Sequence, residues 1–374
     1  MKRGEYFNLG PHAFYKKGIA RPILQELGIQ TSGKSPKTDG QLIESERSYI
    51  APFSPKGLLT SNYIDWKERL KWIQIMVTLN TENMQEIEGL TYQEWVENKT
   101  KLKKVQSLLY ILGRLATYCE APKEASAKVM VSHLQRVMRG IIYVDGGWQT
   151  IVNQLLDQAC GLGLQIRDQS PVRDIRKQKE GQFEINIANS DRIIANQVLY
   201  TGNPHDLNEM IDDNPLKNLI EDITPVKAGS LDVALENLPD SKQTFAMGID
   251  NPFYFSLHSK YADLSYDGKS YILHVLKYHY PNEKVDSRKV KKELEEFLDR
   301  IQPGWRELVI ASRCLPNITV NHRLPKVEEE SKLTSPETAI SNLYIAGDWA
   351  SPLAILSEGA VHSGKKAAMA MLSK

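Results

Sequence analysis

Near the C-terminus, Leu343 to Ala346 read as a short apolar strand that stops at Gly347 and Asp348. Beyond it Ala360, Val361, Gly364, Ala367, Ala368 and Met371 recur at helical spacing with mostly small side chains. A strand that ends on glycine and acid, then feeds a helix able to pack closely, is the repeating unit of a layered α/β domain. That unit constrains the fold more than any other stretch, because it requires a sheet for the helix to cover.

The rest of the chain divides around it. Ala20 to Leu27 form a short helix, with Pro22 near its start and Gly28 where a left-handed cap falls. From Asp65 to Tyr118 the pattern is helical, with Trp66, Leu70, Ile73 and Val77 on one stripe and Thr91 with Glu94 spelling a capping box. Lys101 to Tyr118 and Ala125 to Met138 continue this helix-rich insert of about eighty residues. At Asp145, Gly146 and Gly147 the character changes. Trp148, Ile151, Val152, Leu155, Leu156 and Ala159 make a helix ended by Gly161, and strands are expected at Leu164 to Arg167, Val172 to Lys177, Phe183 to Ile187, Arg192 to Ala195 and Gln197 to Thr201. Aromatic-rich strands follow at Ser230 to Leu235, Phe253 to His258 and Ser270 to Tyr278, then an amphipathic helix with Val290, Leu294, Phe297, Leu298 and Ile301.

Length and charge narrow the classes. At 374 residues the chain exceeds one ordinary domain of about 100 to 200 residues. Lys+Arg 47 against Asp+Glu 46 leaves a net +1, so no global field draws it to nucleic acid. Leu108 to Leu115, the most apolar stretch, is far shorter than the roughly 20 residues of a membrane span, and the N-terminus has no apolar signal core. Cys119, Cys160 and Cys314 are scattered and odd in number, which fits a reduced, cytoplasmic setting. His274 and His279, five apart on a strand, face opposite sides and do not share a metal; no metal site is expected.

The chemistry-bearing constellation is Gly347 and Asp348 with Glu358, Gly359, Ala360, Ser363 and Gly364. Glycine after a strand lets backbone approach a ligand, Asp348 can accept from sugar-like hydroxyls, and the start of the helix offers unpaired N–H groups that stabilise negative charge. The plain alternative is a tight strand-to-helix turn packed with small residues. The stretch "NLYIAGDWASPLAILSEGAVHSGKKAAMAML" resembles the C-terminal flavin motif of the FAD-dependent amine oxidase and phytoene desaturase superfamily. "YFNLGPHAFYKKGIARPILQELGI" and "YVDGGWQTIVNQLLDQACGLGLQIRDQSPVRDI" resemble that family's early and central segments, so the resemblance covers nearly the whole chain.

The resemblance implies FAD as cofactor, with Gly347 and Asp348 near its pyrophosphate and ribityl chain. It places Leu356, Gly359 and Ala360 at the helix start beside the isoalloxazine, and Val172 against the adenine. Gly10, Pro11 and His12 fall at a turn near the flavin face, where His12 also reads as a hydrogen-bonded turn residue. Catalytic residues are not identified, since in such chemistry the cofactor is the reactive group. The family opens with a strand, GxGxxG and helix that this sequence does not contain. "KRGEYFNLGPH" opens in mid-strand, so the expectation is either an internal start of a longer protein or a remnant that does not retain FAD.

The expected fold is therefore α/β with mixed sheets: an incomplete FAD-binding Rossmann-like domain (1–35, 140–205 and 325–374) interleaved with a substrate domain (36–139 and 206–324). The expected function is hydride removal from an apolar or amine substrate; the alternative is a degenerate, redox-neutral or non-catalytic binder of apolar ligands. The insert and the aromatic sheet around Phe253, Tyr254, Phe255, Tyr271 and Tyr278 are expected to enclose one cavity opening toward the flavin, with an exposed insert face free for transient membrane contact.

Overall fold

A computed structural model describes residues 6–188, 191–211, 216–266, 268–352 and 354–373. Residues 1–5 of the N-terminal stretch and Leu353 of the C-terminal motif lie outside the described residues.

Alternation along the strands organises the molecule. The main sheet runs Val309–Asn321, Val226–Leu235, Tyr271–Tyr278, Phe253–Leu257, Phe245–Gly248, Gln41–Glu44 and Arg47–Ile50 in spatial order. Its pairs are antiparallel except where Gln41–Glu44 lies parallel to Phe245–Gly248. Because successive side chains point to opposite faces, Val233, Phe255, Leu273 and Val275 meet the helix Ser287–Ile301 through Val290, Leu294, Phe297 and Leu298. Tyr254, Leu276, Tyr278, Phe245 and Met247 fall on the other face and join the core of the helical insert.

The insert is fixed by its caps. Asp65 and Glu68 close a capping box at the helix Trp66–Leu79, and Thr91 with Glu94 does the same at Tyr92–Lys99. Lys103–Thr117 and Ala127–Met138 complete it. The stripe Trp66, Leu70, Ile73 and Val77, whose spacing marks the helix, faces solvent. Trp72, Ile75 and Leu79 are the buried side, with Trp72 Nε1 donating to the Pro52 carbonyl at 3.0 Å. The helix carries two apolar stripes, and periodicity does not say which turns inward.

Three smaller sheets hold the rest. Phe14–Tyr15 and Gly33–Lys34 both pair with Ile141–Val144, so the chain leaves for the insert and returns to the same sheet. Val198–Tyr200 pairs in parallel with Leu343–Ile345, and Val172–Lys177, Phe183–Ile187 and Arg192–Ala195 form the expected meander. The strand expected at Leu164 to Arg167 is not formed: Leu162, Leu164 and Ile166 are exposed, and no described strand pairs with them.

Candidate functional site

A cavity of about 490 Å³ runs from the Gly347–Asp348 turn to the insert. Its size lies in the range of roughly 300 to 1,000 Å³ usual for small-molecule sites. The insert contributes Leu115, Ala116, Tyr118 and Val137, and the main sheet contributes Phe245, Tyr254, Leu276 and Tyr278.

At one end the groups come from the strand-to-helix unit. Gly347 takes φ +145°, and a Cβ there would lie 2.9 Å from Trp349 Nε1, so only glycine fits without a shift. Ser363 Oγ secures the turn, accepting from the Gly347 N–H at 3.0 Å and donating to its carbonyl at 2.8 Å. Asp348 accepts from the His322 N–H at 2.9 Å and from Nδ1 at 3.0 Å. That carboxylate bond raises the His322 pKa above its ordinary value. A carboxylate accepts about four hydrogen bonds, so Asp348 keeps capacity toward the cavity it lines.

The helix Leu356–Leu372 begins on a strained residue, Leu356, at φ +57°. Leu356 N–H is taken by Asn321 Oδ1 at 2.9 Å and Ile355 N–H by His133 Nε2 at 3.2 Å. The N-cap Ile355 supplies no side-chain acceptor, which leaves the positive end of the helix toward the cavity, where Leu356, Ser357 and Ala360 line the wall. Gly359 sits underneath: a Cβ would fall 2.6 Å from the Ala354 carbonyl and 3.0 Å from that of Asp348, so its place is close packing of helix on turn. Glu358 turns away to accept from the Ile19 and Ala20 N–H groups at the start of the helix Ala20–Glu26; burial raises its pKa.

Opposite lies the turn at Gly10, φ +87°, whose carbonyl accepts from His12 Nδ1 at 2.8 Å. This bond puts the proton on Nδ1, and burial lowers the His12 pKa, so the ring is neutral. Pro11 and His12 line the cavity; Gly10 shapes the turn behind them, with Ser230 and Leu276 at its back. Val172 is not a lining residue: it packs on the cluster containing Trp349 and Ala350 beyond the cavity.

The other end is aromatic. Tyr15 donates to the Ala116 carbonyl at 3.0 Å, Tyr118 donates to that of Pro11, and the Tyr143 and Tyr254 hydroxyls meet at 3.3 Å. Burial raises all four phenol pKa values, so these rings are uncharged. Of the aromatics expected here, Tyr254 and Tyr278 line the cavity. Phe253 does not: it stacks on Phe297 across the sheet at 5.0 Å, Phe255 is buried on that same far face, and Tyr271 stands partly exposed at its strand's start. Sequence reading gave no site role to Tyr15, Tyr118, Tyr143, Trp148, His258 and His322: Tyr15, Tyr143 and Trp148 lie within the early and central segments that resemble the family, while Tyr118, His258 and His322 lie apart from every quoted motif.

These residues suit the ribityl and ring end of a flavin: a glycine turn lining the cavity, an acid with spare lone pairs, a helix start and an aromatic enclosure; the glycine-rich turn that holds the pyrophosphate in the family is not in this sequence. The family model for flavin-containing amine oxidoreductase matches residues 1–372. No curated protein matches the chain by sequence. Among solved structures, it is similar to an oxidoreductase from Methanosarcina mazei, with a TM-score of 0.75 and 14% identity over 100% of this chain and 90% of that one. A putrescine oxidase variant gives 0.72 and 12% identity over 98% and 88% of the two chains. A CLA-producing fatty acid isomerase from P. acnes gives 0.67 and 10% identity over 98% and 87%. At such identities these likenesses concern the fold alone.

Proposed function

Because the chain belongs to the flavin-containing amine oxidoreductase family, we propose that it is an FAD-dependent oxidoreductase removing a hydride from an apolar or amine substrate held in this cavity. The observation that carries the reading is continuity: one cavity joins the Gly347–Asp348 turn and the start of the helix Leu356–Leu372 to an apolar aromatic enclosure. FAD, when bound, supplies a two-electron acceptor.

The chain's own residues bind, orient and exclude water. Asp348 accepts from the ribityl hydroxyls, held in aim by His322. Gly347, Leu356 and Ala360 let the backbone approach the cofactor, while Gly359 and Gly10 hold the two turns that face each other across it. Val172 contributes toward the adenine from its sheet, and His12 offers a neutral imidazole at the flavin face. Tyr118, Tyr254 and Tyr278 keep water from the reacting C–H bond, which positions it without an acid–base pair.

No helix among the described residues is long and apolar enough to cross a membrane. Trp66, Leu70, Ile73 and Val77 form the face that transient contact with a membrane surface would use, and sedimentation with lipid vesicles tests it.

The test of the function is anaerobic addition of amines and apolar alcohols to the FAD-loaded protein. Bleaching of the visible flavin absorption by one of them is the expected result. A flavin spectrum that no compound changes, with FAD demonstrably bound, would favour a redox-neutral or non-catalytic binder.

A further inference from the structure

The first turn of the helix Leu356–Leu372 is not held by its own sequence. A helix start leaves its leading N–H groups without intrahelical partners, and the N-cap Ile355 has no side-chain acceptor to offer them. Two side chains from other elements take that place. His133, on the insert helix Ala127–Met138, accepts from the Ile355 N–H at 3.2 Å, and Asn321, at the end of the strand Val309–Asn321, accepts from the Leu356 N–H at 2.9 Å. Beside these two braces stands Leu356 at φ +57°, a conformation that a leucine keeps only when its surroundings impose it.

Hydrogen bonding fixes the state of the His133 ring. Nε2 accepts, so it carries no proton. The Tyr15 hydroxyl donates to the Ala116 carbonyl at 3.0 Å, so at its 3.3 Å contact with His133 Nδ1 it accepts, and the imidazole proton sits on Nδ1. Burial, followed by the charge of Arg136, lowers the His133 pKa well below its ordinary value and keeps the ring neutral. One ring thus joins the helix start to Tyr15, a cavity-lining residue of the strand Phe14–Tyr15, with both nitrogens used. Helical spacing explains its placement: Val129, Met130, His133 and Leu134 lie on the buried side, and Val137, one turn on, reaches the cavity wall. An apolar ring of similar size would pack there without the cost of burying two polar nitrogens, so packing alone does not account for a histidine.

We propose that His133 is a positioning residue for the flavin: it holds the Ile355–Leu356 turn in its strained form, so that Leu356, Ser357 and Ala360 present one fixed wall to the cofactor, and it ties that wall to Tyr15 in the aromatic enclosure. The inference rests on the reading that this cavity holds FAD, and adds to it a residue outside the flavin motif. His133 does not line the cavity; it acts through Ile355 on one side and Tyr15 on the other. The tie runs through a ring with a single proton. Without the Tyr15 oxygen nothing keeps that proton on Nδ1, and in the other tautomer an Nε2 proton would face the Ile355 N–H and push the turn away. The Tyr15 hydroxyl therefore selects the tautomer that the helix start needs.

The test combines nitrogen NMR of labelled histidine in the flavin-free protein with titration of FAD into wild type and variants. Wild type at neutral pH should show His133 protonated on Nδ1. His133→Phe, which keeps a ring but offers no acceptor, should bind FAD about tenfold more weakly, and His133→Gln, whose amide oxygen reaches the place of Nε2, should return to within about threefold of wild type. Tyr15→Phe should move the His133 signals toward the other tautomer and weaken FAD binding about threefold. A merely structural histidine would lower the melting temperature of both His133 variants without restoring FAD affinity in His133→Gln. A wild-type proton on Nε2, an FAD affinity untouched by His133→Phe, or equal losses in His133→Phe and His133→Gln would overturn the proposal. Should His133→Phe not fold, Tyr15→Phe decides: an unchanged tautomer with unchanged FAD affinity overturns it. Wild type that takes up no FAD would overturn the flavin reading itself, and this inference with it, whereas the other results overturn only the role of His133.

Discussion

The two ends of the cavity are built in different ways. At the flavin end, Gly347, Asp348, Leu356, Ser357 and Ala360 come from one continuous stretch, secured locally by Ser363 on Gly347 and by the fit of Gly359 under the turn. At the aromatic end, Tyr15, Tyr118, Tyr143, Tyr254 and Tyr278 arrive from five separate parts of the chain and are held by packing and by hydroxyl hydrogen bonds. A contiguous site depends on a few exact backbone conformations. A convergent wall depends on the whole fold, and its chemistry is spread over rings that individually look like core.

Substitutions at the two ends should therefore fail differently. Of the substitutions at the two ends, the larger loss of stability is expected at the aromatic end in Asp232→Asn. Removing a buried charge that faces Arg313 and His274 should cost about 3 kcal/mol in urea unfolding at neutral pH. Burial opposes the Asp232 charge, but the hydrogen bonds and charges of His274 and Arg313 outweigh it and lower its pKa. Its contribution is thus full above the ordinary value of about 3.9 and is lost as pH falls through the lower folded value. The gap between wild type and Asp232→Asn should close in that acid window. A gap under about 1 kcal/mol at neutral pH would show that the charges of Arg313 and His274 do not hold Asp232 in place.

At the flavin end, Gly347→Ala forces a Cβ against Trp349 at an unfavourable φ and should cost roughly 2 kcal/mol in the same assay. Unlike Asp232→Asn, it should also abolish FAD binding by moving the turn. A variant that is destabilised but binds FAD normally would remove the turn from the site.

His322 sharpens the comparison through pH. Its pKa is raised by Asp348, so the pair's contribution is full below about 6.5 and disappears as pH rises through the higher folded value. The melting temperature of wild type should fall across that window, and that fall should flatten in His322→Gln. Identical slopes would show that the pair is too well solvated to matter.

The smallest effect is expected on the insert's outer face. Trp66→Ser should change stability by no more than about 0.5 kcal/mol, whereas Trp72→Ala, on the buried side of the same helix, should cost about 3 to 5 kcal/mol. Similar losses at both positions would mean that the exposed stripe is covered in solution.

The same contrast explains what the sequence discloses. The flavin end was legible because its glycine, its acid and its helix start are neighbours in the chain, and the capping boxes at Asp65 and Thr91 were legible for the same reason. Sheet partners were not: only the register of Gln41–Glu44 beside Phe245–Gly248 shows that the strands ahead of the insert belong to the main sheet. Faces were ambiguous where both sides of an element are apolar. Phe253 and Tyr254 are adjacent and equally aromatic, and one strand's pleat sends them to opposite cores. His322 and His258 gave no signal, since each acquires its meaning from a residue tens of positions away.

The central claim, that the Gly347–Asp348 turn and the helix after it form a flavin site, is tested most directly by titrating the purified chain with FAD and following flavin fluorescence. Wild type should bind FAD saturably, less tightly than a site that includes the family's GxGxxG turn. Asp348→Ala should bind more weakly by about 1.5 to 3 kcal/mol, the range for hydrogen bonds to a charged group. Wild type that does not bind FAD, or an Asp348→Ala affinity equal to wild type, would contradict the account.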